Sequence, residues 1–234
     1  YDVDGSDAGS WTALTDFSNT EHYGSSLAWA GGSYIYALRS YNSTEFYRYN
    51  IATNTWAART STPNNFYYGA SLVYVPNGSY CTDASGCLYA TRGNNTAQFF
   101  KYEISANSWT NQTTVPFYVG YGGKLLYHDG YVYATRGGQS HNFMRYNITT
   151  KLWEYMATMP TAQHYGSSSG MIYDGNTETI YTLRGYNEYS FYSYDVNNNK
   201  WNTPGLPFDQ TSNGFYYGGV TFDGDDTLYI SRGN

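Results

Sequence analysis

The chain has 234 residues, of which 13% are charged and a fifth are aromatic, including 30 Tyr. A net charge of −6 and a pI near 5.0 exclude non-specific nucleic-acid binding, which needs a basic surface. No run of 18 apolar residues occurs, so no helix of this sequence is expected to span a membrane.

Tyr, Thr, Val and Phe favour strands, and Gly, Asn, Asp and Ser favour tight turns, so an all-β fold is expected. A chain that opens on Tyr1 without a signal-peptide pattern is expected to be a processed product. Tyr1-Asp2-Val3 and Trp11 read as parts of an outer hairpin, and Tyr23-Gly24 follows Trp11 after twelve residues. An inner hairpin then ends in YALRS (Tyr36–Ser40), Phe46 to Tyr49 predicts a third strand, NIATNT a turn, and Trp56 opens a fourth strand. The order then repeats. Copy two runs from Tyr68-Gly69 through YATRG (Tyr89–Gly93), Phe99, Tyr102 and Trp109. Copy three runs from Tyr121-Gly122 through an Asp129-Gly130 turn, a second YATRG (Tyr133–Gly137), Phe143, Tyr146 and Trp153. Copy four runs from Tyr165-Gly166 through YTLRG, Phe191, Tyr194 and Trp201, and a last Tyr217-Gly218 leads to YISRG near the C-terminus.

The anchors Arg39, Arg92, Arg136, Arg184 and Arg232 are 53, 44, 48 and 48 residues apart. In four copies Phe follows Arg after seven positions, Tyr after ten and Trp after seventeen. Such a period means an array of equal units. Each unit reads as four short antiparallel strands, a to d. In strand b, Ile35, Leu88, Val132, Ile180 and Leu228 share one face, and Tyr36, Tyr89, Tyr133, Tyr181 and Tyr229 share the other. With apolar or aromatic residues on both faces, both are expected to be covered. Sheets packed face to face around an axis make a β-propeller. The expectation is a single five-bladed propeller, with blades at 23–66, 67–119, 120–163 and 164–215. The closing blade is shared between the termini, 216–234 plus 1–22. Extending the Arg-to-Tyr spacing from Arg232 to Tyr1 leaves about seven residues absent from that blade, including its strand-c Phe.

A hydrophobic strand ending in a glycine turn, followed by Tyr, six residues and Trp, resembles the kelch repeat across all five copies. The family's Gly-Gly doublet stands here as Arg-Gly, and as Arg39-Ser40 in copy one. The resemblance implies a disc whose strand a lines a central channel and whose ring closes by pairing the two chain ends. It implies little about function. Some kelch-type propellers are copper oxidases with a His and Tyr ligand set and a cross-linked Cys. Here Cys81 and Cys87 enclose CTDASGC and are expected to form a disulfide, which points outside the cytosol.

Strand a starts and strand b ends at the same sheet edge, so Tyr23, Tyr68, Tyr121, Tyr165 and Tyr217 should gather with the five arginines around one channel mouth. Two readings stand. The mouth binds anions or glycans through guanidinium forks and tyrosine faces, or each Arg serves the fold by stacking and bonding carbonyls. DVDGSD places Asp2, Asp4 and Asp7 in a turn that resembles short calcium loops, although Asp-Gly is also the ordinary a–b turn of this repeat. Apart from a Ca2+ ion in that turn, no cofactor is expected. N-glycosylation sequons occur at Asn42, Asn77, Asn94, Asn111 and Asn147, a number that chance supplies in a chain this rich in Asn, Ser and Thr. No metal-ligand spacing among the four His, no nucleophile elbow and no phosphate loop is found.

The expected protein is a non-enzymatic extracellular or cell-surface subunit, adhesive or filament-forming, that associates with itself or another protein. The alternative is a lectin-like propeller, and an enzyme ranks third.

Overall fold

The computed structural model describes residues 12–17, 24–163, 170–185, 190–203, 219–225 and 227–231. They form an all-β propeller with four four-stranded antiparallel blades and a fifth sheet of two strands. Blade one comprises β1 (Ser26–Trp29), β2 (Tyr34–Leu38), β3 (Phe46–Asn50) and β4 (Thr55–Ala58). Blade two comprises β5 (Ser71–Val75), β6 (Cys87–Thr91), β7 (Phe99–Glu103) and β8 (Ser108–Asn111). Blade three comprises β9 (Lys124–His128), β10 (Tyr131–Thr135), β11 (Phe143–Asn147) and β12 (Leu152–Tyr155). Blade four comprises β13 (Met171–Asp174), β14 (Thr179–Leu183), β15 (Phe191–Asp195) and β16 (Lys200–Trp201). The fifth sheet pairs β17 (Gly219–Phe222) with β18 (Leu228–Ser231). The innermost strands β1, β5, β9, β13 and β17 contact one another in that order.

Turn chemistry sets the hairpins. Asp129 and Gly130 take φ of 38° and 79° between β9 and β10, the paired left-handed conformation of a tight hairpin turn. Each outer hairpin places one residue, two before its Trp, in the left-handed region: Asn54, Asn107, Lys151 and Asn199. Three of these are Asn, which tolerates that conformation better than most residues.

The core lies between blades. Tyr36 packs into one layer with Leu72, Leu88 and Tyr102 of blade two. Tyr89 meets Leu125, Val132 and Tyr146 of blade three, and Tyr133 meets Met171, Ile180 and Tyr194 of blade four. Tyr36, Tyr89 and Tyr133 are at most 2% exposed, and Leu88, Val132 and Ile180 are fully buried. Both faces of strand b are therefore covered in the middle blades, as the alternation requires.

One clip repeats at the outer rim. The indole N–H of Trp109, Trp153 and Trp201 donates to the carbonyl of Thr60, Thr113 and Ala157 in the blade before. Trp56 donates in the same way to Thr15 at 3.1 Å. Thr15 stands four residues after Trp11, as Thr60 stands four after Trp56, so the 12–17 segment occupies the place of a blade rim preceding blade one. Phe17 then sets its ring 4.8 Å from that of Trp56. At the other junctions that contact comes from the first residue of strand c, as in Phe46–Trp109 and Phe99–Trp153.

The fifth position is described only in part, with strands a and b where they were expected near the C-terminus. Its described residues give two strands, and Tyr1, Asp2, Val3 and Trp11 lie outside them. Leu27 is 65% exposed, whereas Leu72, Leu125 and Met171 at the same register of β5, β9 and β13 are 5–7% exposed. The blade-one face toward the fifth sheet is open at its inner end and plugged by Phe17 at its rim.

Candidate functional site

Of the tyrosines expected at the mouth, Tyr68 and Tyr121 lie within the described residues and are stacked, with centroids 4.5 Å apart. Tyr23, Tyr165 and Tyr217 lie outside them, as do Arg232 and the candidate calcium residues Asp2, Asp4 and Asp7. Two tyrosines that the repeat did not single out extend the stack. Tyr67 meets Tyr68 edge-on at 4.5 Å, and Tyr41 stacks on Tyr67 at 5.5 Å. The ladder leaves Tyr41 and Tyr121 at least 40% exposed. Desolvation, then the neighbouring Tyr67, Tyr41 and Tyr121, raises the Tyr68 hydroxyl above the ordinary tyrosine range.

The arginines face the connections that enter their own blades. Arg92 Nε donates to the carbonyl of Asn65 at 2.7 Å, Arg136 Nε to that of Tyr118 at 3.3 Å, and Arg184 Nε to that of Ala162 at 3.2 Å. Each acceptor precedes the Tyr of Tyr-Gly by three residues. Backbone bonds repeat the link: Tyr67 N–H donates to the Arg92 carbonyl, and Asn94 N–H to the Tyr68 carbonyl. The glycine after Arg is needed because a Cβ on Gly93 would sit 2.2 Å from the Tyr68 carbonyl oxygen. The recurring YATRG string thus locks the exit of strand b onto the entry of strand a.

The second guanidinium contact varies between copies. Arg39 pairs with Glu45, and Arg92 Nη1 donates to Gln98 Oε1 at 2.8 Å. The terminal nitrogens of Arg136 have no partner among the described residues. Arg136 lines a cavity of about 420 Å³ together with Asn142, Phe117, Tyr118 and Tyr155. Tyr118 and Tyr155 are 64% and 66% exposed, so this cavity has aromatic rims and a cationic wall.

A separate cavity of about 640 Å³ runs along the inner strands β1, β5, β9 and β13 and is the central channel. Of the motif arginines, Arg39, Arg92, Arg136 and Arg184 do not line it, and Arg232 lies outside the described residues. The channel's charged wall residue is Lys124, whose amine burial pushes down to about 8. Lys124 has no place in the pattern of repeat anchors, although a signal for it stands in the sequence: β1 and β5 carry Ser26 and Ser71 at the same register.

The predicted disulfide Cys81–Cys87 is present and buried beside Val75 at the edge of the layer between blades two and three. Among the described residues no helix is long and apolar enough to cross a membrane. Both observations are compatible with an extracellular protein. Asn42, Asn77, Asn94 and Asn111 are exposed, whereas Asn147 is half-buried and its side-chain oxygen caps the β11–β12 turn through the N–H groups of Thr149 and Thr150. In the β17–β18 turn, Asp223 Oδ1 accepts from Asp225 and Thr227 N–H, so that carboxylate is used within the turn. His141 bonds the Met159 carbonyl, and His128 stacks on Tyr173.

The fold defines a β-propeller. No protein-family model matches the chain, and neither does any curated protein sequence. Among solved structures, that of YjhT is similar with a TM-score of 0.67 and 15% identity, covering 90% of this chain and 72% of that one. An auxiliary nutrient binding protein from Bacteroides thetaiotaomicron VPI-5482 is similar with a TM-score of 0.62 and 13% identity. That match covers 88% of this chain, which spans 56% of the Bacteroides chain. At such identities the likeness shows the fold and no more.

Proposed function

We propose that this protein is a non-enzymatic structural or adhesive subunit of an extracellular setting. In this reading it is a five-bladed, kelch-like propeller whose last blade joins the two chain ends and accepts a strand from another copy. The single observation that carries the reading is the open face of blade one. Leu27 and Trp29 are 65% and 64% exposed at positions that neighbouring blades cover, and Tyr229 of β18 is 41% exposed. The outer edge of β18 has no strand partner among the described residues, and an open edge beside apolar side chains is a template for strand addition. Covering Leu27 alone would gain about 1.5–3 kcal/mol. The test replaces Trp29 and Tyr229 together by Lys and follows light scattering against concentration. The reading expects wild-type assemblies and dispersed variants, and equal scattering from both rejects it.

The second reading is a glycan-binding propeller, favoured by the exposed Tyr41–Tyr67–Tyr68–Tyr121 ladder and the Arg136 cavity on the same loop side. The nutrient-binding role of the Bacteroides protein is in keeping with it. Tyrosine faces offer apolar area with a polar rim, which suits sugar rings. Saturable binding on a glycan array that Tyr121→Ala abolishes would put this reading first.

A further inference from the structure

The channel holds a cation that neither reading uses. Lys124 stands in β9 opposite Thr135, and the same register holds Ser26 in β1, Ser71 in β5, Gly170 beside β13 and Gly219 in β17. A long cationic side chain therefore replaces small residues once around the ring. The two serines explain what their position does for the fold: Ser26 Oγ accepts from Leu72 N–H and Ser71 Oγ from Leu125 N–H, both at 3.0 Å, tying one inner strand to the next. An ammonium group has no lone pair and cannot take this role. Lys124 also forms no ion pair and no side-chain hydrogen bond among the described residues.

Among the described residues the surroundings of the amine are uncharged. β1, β5 and β13 contribute serine hydroxyls, a glycine and apolar side chains to the channel wall, with no carboxylate. The remaining titratable groups of the wall, Tyr74 and Tyr127, are both held above their ordinary range by burial and are neutral at pH 7. Lys124 is half-buried, and a cation partly withdrawn from water among neutral groups favours a counter-charge. The Ser26 and Ser71 hydroxyls, having accepted a backbone N–H each, keep their own protons to donate.

We propose that the central channel is an anion-binding site, with Lys124 Nζ as its charge and the Ser26 and Ser71 hydroxyls as flanking donors. The ligand class is a small oxyanion or carboxylate, which the 640 Å³ cavity admits and which ammonium and hydroxyl donors together bind.

Thermal unfolding with inorganic phosphate, sulfate or acetate, each titrated against chloride at matched ionic strength, tests the site. The expected result at pH 7 is a saturable rise in the melting temperature, lost in Lys124→Met and retained in Lys124→Arg. A stronger response to phosphate assigns an oxyanion, and a stronger response to acetate assigns a carboxylate. Calorimetric titration of the wild type at pH 7 and pH 10 keeps the test independent of how the variants fold. Binding should weaken at least tenfold at the higher pH as the amine loses its proton. An identical anion response in wild type and Lys124→Met, or binding unchanged from pH 7 to pH 10, overturns the assignment.

Discussion

The indole N–H of Trp109 donates to the carbonyl of Thr60, 49 residues earlier and one blade back, at 3.0 Å. Asn107 completes the join: its Oδ1 accepts from Tyr102 OH at 2.5 Å and from Thr60 N–H at 3.1 Å. Asn54 and Asn199 repeat this pattern with Thr15 and Ala157. A Tyr, an Asn and a Trp of one outer hairpin thus hold both backbone groups of a residue in the preceding rim. Trp109→Phe keeps the ring and removes the donor, leaving a carbonyl unpaired. It should cost about 1 kcal/mol in urea unfolding. An unchanged midpoint would show that water replaces the bond without loss.

Blade three lacks the middle of this clip, because Lys151 stands where the others have Asn. Its φ of 60° disfavours Lys more than Asn. Lys151→Asn should therefore stabilise the protein, by about 0.5–1.5 kcal/mol, through an easier turn, a bond from Thr113 N–H and a closer acceptor for Tyr146 OH, which now donates to Gln112 Oε1 at 3.4 Å. A destabilised variant would contradict the clip.

The ladder of Arg, Phe, Tyr and Trp spacings made the blades legible because each spacing encodes one local hairpin. What stayed hidden were relations between blades. Asn54, Asn107 and Asn199 stand two residues before each Trp, but their use becomes visible only when the neighbouring rim is in place. Phe17 lies in a segment without a matching ladder, so its substitution for a strand-c Phe could not be read from spacing. For the arginines a ligand-binding and a carbonyl-bonding role were both open, and Nε of Arg92, Arg136 and Arg184 does bond a carbonyl, that of the connection entering the same blade, a partner that sheet-edge reasoning does not single out. Lys124 stayed hidden because the aromatic anchors align the strands, and the small residues of strand a carry no such mark.

Close backbone approach explains the glycine of Tyr-Gly. A Cβ on Gly69, at φ 78°, would lie 1.9 Å from the Gly120 carbonyl oxygen. Gly69→Ala should cost about 3 kcal/mol or more, since both strain and clash act there. Gly31→Ala, at φ 75° with nothing within 4 Å, should cost about 1 kcal/mol. Comparable losses at the two sites in thermal unfolding would dismiss the close approach as the cause.

The Cys81–Cys87 bridge joins residues at a sequence separation of 6. A disulfide stabilises mainly by restricting the unfolded chain, typically by about 2–4 kcal/mol and least for short loops. Replacing both cysteines by Ser should therefore cost about 2 kcal/mol and loosen the Tyr80–Cys87 corner of blade two. Hydrogen exchange should rise first around β6, and exchange that rises equally in every blade would contradict a local role.

Above pH 8 two kinds of group should make stability depend on pH. Burial pushes Tyr89, Tyr173 and Tyr194 well above the ordinary tyrosine range, so folding favours their neutral form. Their contribution is complete below pH 10 and is lost as pH rises beyond it. Lys124 acts in the opposite direction. Its folded value of about 8 lies below the usual 10.5, so its charged form costs stability at pH 7, and that cost fades between pH 8 and 10.5. The difference between Lys124→Met and wild type should therefore shrink by about 3 kcal/mol over that window. A difference independent of pH would show that the amine is well solvated.

The most direct test of the account is sedimentation velocity on the native protein across a wide dilution series in phosphate-free buffer. Assembly through the fifth sheet predicts species much larger than the 26.4 kDa chain that dissociate on dilution and are absent in the Trp29→Lys/Tyr229→Lys variant. A single sharp boundary near 26.4 kDa at every concentration would contradict assembly, and the tyrosine ladder would then become the leading candidate for the working surface.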